Sequence, residues 1–150
     1  MKDSEWLKAY LQNNEIKARV VETGKVSTVD EAAREMNCDK RQVIKSLVLV
    51  TESGRAVVVV VDGKASVDIK RIRRLLGENV RMAEREEIVH YTGFSAGGVP
   101  PVGHECEIII DRRVLENEIV YGGGGDKYHL IEINPKEILR MGARVEKVRK

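Results

Sequence analysis

The sequence predicts a single α+β domain: a strongly twisted, mostly antiparallel, barrel-like mixed sheet flanked by helices. Three observations predict it. Two wholly apolar, β-branched runs, Val43–Val50 and Val57–Val61, follow one another across Glu52-Ser53-Gly54-Arg55 and read as a central hairpin buried on both faces. Short strands and short amphipathic helices are mixed without the regular alternation, or the G-x-G-x-x-G turn, of a dinucleotide fold. The 150 residues are 42% hydrophobic and 33% charged, which suits one domain over residues 1–150 whose core needs neither disulfide nor metal.

The elements follow in order. Asp3 or Ser4 caps a first helix with Trp6, Leu7, Tyr10 and Leu11 at helical spacing, and Asn13-Asn14 ends it. A short strand is expected over Ala18–Val21. Thr28 and Glu31 form a capping-box pattern ahead of a small-residued helix with Ala32, Ala33 and Met36 on its face. Asp39-Lys40-Arg41-Gln42 is a polar turn that delivers the chain to the central strand. Asp68 caps a helix that faces Ile69, Ile72 and Leu76 inward and Lys70, Arg71, Arg73 and Arg74 outward, and Gly77 stops it. Val80–Met82 is a brief strand and Glu84–His90 a short acidic helix. Cys106–Ile110 is a strand ending at Asp111. Ile119–Tyr121 and Tyr128–Ile133 form a second hairpin across the glycine run Gly122–Gly125. Asn134-Pro135 starts a last helix, Gly142 ends it, and Ala143–Val148 is an edge strand.

Composition narrows the function classes. A net charge of +2 neither demands nor excludes a nucleic-acid partner, so only clustered charge speaks to one. Cys38 and Cys106 form no C-x-x-C pair and read as reduced thiols of a cytoplasmic protein. No apolar run approaches the roughly 18 residues of a membrane span, so no membrane partner is expected. The serines occupy no G-x-S-x-G elbow, and His90, His104 and His129 lack metal-ligand spacing; His104-Glu105-Cys106-Glu107 would alternate across a strand. The expectation is therefore no metal and no cofactor, with any catalysis coming from positioning and electrostatics.

Two stretches fit that chemistry. Lys45 is the one charge inside the central apolar strand, sharing a face with Val43, Leu47 and Leu49, so it must snorkel past the strand start or serve a site there. Gly97-Gly98-Val99-Pro100-Pro101-Val102-Gly103 is a stiff loop that exposes its backbone N–H groups and could hold a carbonyl oxygen; the plain alternative is a surface turn. The four cations Lys70, Arg71, Arg73 and Arg74 are either a solvated helix face or a phosphate-contacting surface.

Taken in order, Thr28-Val29-Asp30-Glu31-Ala32-Ala33, Val43-Ile44-Lys45-Ser46-Leu47-Val48, Thr92-Gly93 with the Gly97–Gly103 loop, Ile110-Asp111, and the glycine cluster with Ile131-Glu132-Ile133-Asn134-Pro135 resemble the YbaK/ProX family of aminoacyl-tRNA deacylases. The resemblance implies that fold and the metal-free hydrolysis of the ester joining a wrong amino acid, cysteine or alanine on tRNA-Pro, to the tRNA 3′ end. It implies Lys45 as the key lysine and Gly97–Pro101 as the substrate loop, with Ser46, Gly97, Gly98, Val99, Pro100, Pro101, Gly123, Gly124 and His129 as substrate-binding candidates. It favours Lys70, Arg71, Arg73 and Arg74 as tRNA contacts. The implied partners are the acceptor end of aminoacyl-tRNA and, as a candidate, prolyl-tRNA synthetase. Departures occur at Pro100, where many members carry serine, at Ser46, where some carry asparagine, and at Gly123, where a hydroxyl is lost. These departures motivate the rival reading, a non-catalytic module that binds tRNA, a nucleotide or a synthetase.

Overall fold

Val57, Val58, Val59, Val60 and Val61 have no accessible surface, as a β-branched run must if both faces of its strand are covered. They belong to β3 (Ala56–Asp62), which pairs antiparallel with β2 (Ile44–Thr51) in the register Lys45↔Val61, Ser46↔Val60 and Leu49↔Val57. This hairpin sits inside a five-stranded sheet. On one side β2 pairs with β4 (Val80–Met82); on the other β3 is followed by β5 (Glu107–Asp111) and β8 (Arg144–Glu146), both added in parallel. A three-stranded antiparallel sheet places β7 (His129–Ile133) between β1 (Ala18–Glu22) and β6 (Val120–Gly123). The computed structural model describes residues 1–150.

The sheets do not close into a barrel. β4 pairs only with Leu49, Val50 and Thr51, so the first half of β2 has one open edge, and a single bridge from Val43 to Tyr121 ties that end to the smaller sheet. The barrel-like expectation is corrected to two sheets with a cleft between them. The parallel placement of β5 has a topological cause. It is reached from β3 only after a long crossover through α3 (Ile69–Leu76), β4 and α4 (Arg85–Thr92).

Local signals set the helix ends. Asp3, Thr28, Asp68 and Asn134 accept backbone N–H groups at the starts of α1 (Ser4–Asn13), α2 (Val29–Met36), α3 and α5 (Pro135–Arg140), satisfying donors that lack intrahelical partners. Gly77 ends α3 with φ 72°, where a side chain would be strained.

Two hydrophobic clusters cover the two faces of the β2–β3 hairpin. Ile44, Val48, Val58 and Val60 pack with α1 and the Phe94–Val102 segment; Leu47, Leu49, Val57, Val59 and Val61 pack with Ile69, Ile72 and Leu76 of α3. Two buried carboxylates fasten the end of the sheet where β2 begins. Asp62 receives Nε and a terminal nitrogen of Arg113 at 2.9 and 2.7 Å, and Asp111 receives the Val148 and Arg149 amides and the Arg149 guanidinium at 2.8, 3.2 and 3.0 Å. Burial works to raise the Asp111 carboxyl, yet these donors hold it below the usual carboxylate range. The segment His104–Glu107 departs from the expected strand: Glu105 adopts φ 61°, and the strand begins only at Glu107. No helix is long and apolar enough to cross a membrane.

Candidate active site

The open edge of β2 borders a cavity of about 330 Å³ between the two sheets. Its walls come from the start of α2 (Thr28, Val29, Ala32), from β2 (Ile44–Val48), from Met82, Ala83 and Ile88, and from Gly97, Val99, Gly122 and Gly123. Ser27, Thr28, Met82 and Gly97 are exposed and form the rim, whereas Ile44, Val48, Val99 and Gly122 are buried and form the floor. Lys45 and the Gly97 loop, more than fifty positions apart, therefore share one small cavity.

The electrostatics of the lining are one-sided. Lys45 is its only charged residue, and no carboxylate, imidazole or thiol accompanies it. Lys45 is half-buried and makes no ion pair, unlike Lys40 and Lys64, which both reach Asp30 nearby at 3.2 and 2.9 Å. An unneutralised ammonium beside apolar walls favours an electron-rich ligand group, because low local polarity strengthens the attraction.

The loop is held by its own backbone. The Gly98 amide donates to Ser95 O at 3.0 Å, and its carbonyl accepts from Gly125 N at 2.9 Å. A Cβ on Gly98 would meet the Gly125 carbonyl at 2.8 Å, so this close approach requires glycine. Gly98 is thus spent on seating the loop, and its N–H is not free for a ligand. The amides of Gly97 and Val99, both lining residues, have no acceptor in the protein and are the available donors. Gly97 stands at φ 89°, a left-handed turn that only glycine adopts without strain.

His104 braces the other end of the loop. The Cys106 amide donates to its Nδ1 at 3.0 Å, which leaves the proton on Nε2 to donate to Pro101 O at 3.2 Å. Burial pushes the His104 pKa down to about 4 against the opposing pull of the Pro101 carbonyl, so the ring is neutral at pH 7.

Several candidates lie apart from the cavity lining. Pro100 and Pro101 are buried in the loop behind it, and Gly124 packs against the His129 backbone. His129 alternates with Leu130, which does line the cavity, and its Nδ1 lies 2.7 Å from Asp126. Asp126 also accepts the Ser4 amide at 3.4 Å, tying His129 to the start of α1. Lys70, Arg71, Arg73 and Arg74 lie on α3, which packs on the same sheet face as Lys45 but contributes nothing to the lining.

Two contributions escaped sequence reading: the wall from α2 and the wall from Met82, Ala83 and Ile88. Thr28 is legible as a cap, but nothing local says that its helix ends against β2.

With this geometry in hand, comparison with known proteins is decisive. The profile of the aminoacyl-tRNA editing domain matches residues 23–141. The chain belongs to the aminoacyl-tRNA editing domain family. It is 31% identical over 114 residues, 75% of this chain and 73% of the other, to the uncharacterized protein YwhH of Bacillus subtilis. It is 30% identical over 115 residues to the proline–tRNA ligase of Shouchella clausii, where the match spans only 20% of the ligase. A solved structure described as a proposed trans-editing enzyme for prolyl tRNA synthetase superposes with a TM-score of 0.92 at 34% identity, covering 98% of this chain and 96% of that one.

Proposed function

We propose that this editing domain is a deacylase acting in trans in the cytoplasm, hydrolysing the ester that joins a wrong amino acid, cysteine or alanine, to the 3′ end of tRNA-Pro. The observation that supports the reading is the shared cavity: Lys45, which has no ion pair, and Gly97 and Val99, whose amides have no acceptor in the protein, are all among the residues lining the same 330 Å³. That volume is at the low end of the roughly 300–1,000 Å³ of small-molecule sites, enough for an aminoacyl group while the nucleotide stays at the rim.

The chemistry follows from what the lining offers. The loop amides and the Lys45 ammonium stabilise negative charge as it develops on the ester carbonyl oxygen, with a single such donor contributing about 3–4 kcal/mol to the barrier. A water oxygen bonds to the carbonyl carbon, the bond from that carbon to the ribose oxygen breaks, and a proton from the water ends on the ribose hydroxyl. No side chain acts as a covalent nucleophile. With a cysteinyl substrate, the substrate's own thiol sulfur bonds to the carbonyl carbon in place of water, the bond from that carbon to the ribose oxygen breaks, the thiol proton ends on the ribose hydroxyl, and the amino acid leaves as its cyclic thioester. A second, narrow site of this kind is useful because a synthetase pocket rejects a side chain smaller by one methylene by only about 1–3 kcal/mol.

Cysteinyl-, alanyl- and prolyl-tRNA-Pro offered to the purified protein test the reading. Repeated turnover of the first two, lost in Lys45→Ala with the fold retained, is the expected result. The lack of a carboxylate or imidazole in the lining favours one rival, a module that binds tRNA or a synthetase without catalysis. Stoichiometric tRNA binding with unchanged ester lifetimes would establish that rival and overturn the deacylase.

A further inference from the structure

Lys2 spans the loop that carries the free amides of Gly97 and Val99. Its backbone N–H donates to Gly93 O at 2.7 Å, and its Nζ donates to Gly103 O at 3.0 Å. Gly93 and Gly103 flank the loop, and both stand at left-handed φ, 82° and 88°, where other residues would be strained. One residue therefore ties both hinge positions, with its main chain at one and its ammonium at the other. The fit at the first is close: a Cβ on Gly93 would meet Lys2 Cδ at 2.8 Å. The ammonium lies 4.1 Å from the centre of the Trp6 ring and 5.5 Å from that of Phe94, and the Lys2 side chain is 21% exposed. Its one ion pair, to the exposed Glu105, is long at 3.9 Å.

A cation held against aromatic faces is a strong donor to a carbonyl, because little water competes for it. The residues that follow extend the hold. Gly125, whose amide donates to Gly98 O, packs so closely on Ser4 that a Cβ there would meet the Ser4 amide nitrogen at 2.6 Å, and Asp126 accepts that same amide at 3.4 Å. None of Met1, Lys2, Asp3 or Ser4 lines the cavity, and the editing-domain profile begins only at residue 23. The segment grips the loop from outside the site, so anything it does for the reaction passes through Gly97 and Val99.

We propose that Lys2 is a positioning residue for the reaction: by clasping Gly93 and Gly103 it holds the Gly97 and Val99 amides where they receive the developing oxyanion. This rests on the deacylase reading and adds to it a residue that never meets the substrate. A donor of this kind acts through its placement in the transition state, so a loosened loop lowers kcat far more than it raises KM. For donors displaced but not deleted, the expected loss is roughly five- to thirtyfold in kcat, below the roughly 10²–10³-fold cost of removing one outright.

Two measurements on the full chain as wild type, Lys2→Met and Lys2→Arg test it; methionine keeps an apolar stem and removes the ammonium, whereas arginine keeps a cationic donor. The first is kcat and KM, taken separately, for cysteinyl- and alanyl-tRNA-Pro. The second is amide hydrogen exchange at Gly98 and Gly125, which seat the loop, against Val59 in the central sheet; it needs no turnover. In Lys2→Met, kcat should fall roughly five- to thirtyfold with KM within about twofold of wild type. Exchange at Gly98 and Gly125 should quicken by about tenfold or more while Val59 keeps its rate, and Lys2→Arg should return both readouts toward wild type. Unchanged loop exchange in Lys2→Met, an equal rise at Val59, or faster loop exchange with an unchanged kcat overturns the proposal. Faster loop exchange in Lys2→Met beside a wild type that turns over no ester leaves the hold of Lys2 on the loop standing and removes the deacylase reading together with the reactive role.

Discussion

A side chain at Gly123 would collide with the carbonyl of Val99, because the first residue beyond the Gly97–Gly98 turn lies directly against β6. The same contact makes the glycine cluster a seat for the loop: Gly98 rests on Gly125, and Gly122 rests on Ile44. Gly123→Ala should push Val99 away from the cavity floor. The expected cost is about 1–3 kcal/mol, the usual range for overpacking, which corresponds to a Tm lower by roughly 3–10 °C in a domain of this size. Thermal unfolding checks the stability, and deacylation should fall with it, since the Val99 amide moves too. An unchanged Tm would mean that the loop does not bear on β6.

Lys45 is half-buried and has no ion pair to lose, so its removal separates function from folding. Lys45→Ala should leave stability within about 0.5 kcal/mol of wild type, as for substitutions away from buried networks. Deacylation should drop roughly 10²–10³-fold, the cost of losing one stabiliser of an oxyanion. Matched melting curves and single-turnover rates on the same preparation check both statements.

Legibility in the sequence followed the range of the forces involved. Helix starts at Asp3, Thr28, Asp68 and Asn134 were readable because a cap is a contact between residues two or three positions apart. The β2–β3 hairpin was readable because its runs are wholly apolar and joined by turn residues. The division into two sheets was not, since it depends on where β4 stops pairing with β2, which no local pattern encodes. Within the site, Lys45 stood out as a charge inside an apolar run. Gly98 read as a free donor only because the acceptor of its amide, Ser95 O, is visible in three dimensions alone. Ser46 was legible only through the family resemblance; that its hydroxyl has no hydrogen-bond partner shows only in relation to its surroundings.

His104 should give stability a pH dependence of its own. Its pKa is about 4 in the folded protein, chiefly through burial, and near the ordinary 6.5 when unfolded. Because the folded value is the lower one, the unfolded chain binds the extra proton first as pH falls. Stability is therefore full above about pH 6.5, declines between 6.5 and 4, and levels off below that for this group. The loss should amount to about 3 kcal/mol, an order-of-magnitude figure from the 1.36 kcal/mol carried by each pKa step. His104→Gln lacks the titration, so the difference between its urea unfolding profile and that of wild type isolates the effect. Parallel profiles from pH 4 to 7 would show that the ring is not buried neutral against Pro101 O.

α3 and Lys45 occupy the same side of the central sheet, which gives a direction for the approach of tRNA. Ile69, Ile72 and Leu76 anchor the helix on that face, while Lys70, Arg71 and Arg74 form no ion pair with any carboxylate, and Arg73 reaches only the Val80 carbonyl at 3.5 Å. Arg81 and Arg140, by contrast, are neutralised by Glu87 and Glu137. Four cations left unpaired on one short helix suit a polyanion, and each phosphate they neutralise adds to the salt dependence of binding. Replacing Lys70 and Arg74 by alanine should lower the slope of log K against log salt by about 1–2 for structured tRNA. Hydrolysis of a minimal aminoacyl-adenosine ester, too short to reach α3, should keep its wild-type rate in the same variant. If tRNA binding kept its slope, or if the short ester lost rate equally, α3 would be a solvated face and the acceptor stem would have to approach from another side of the cavity.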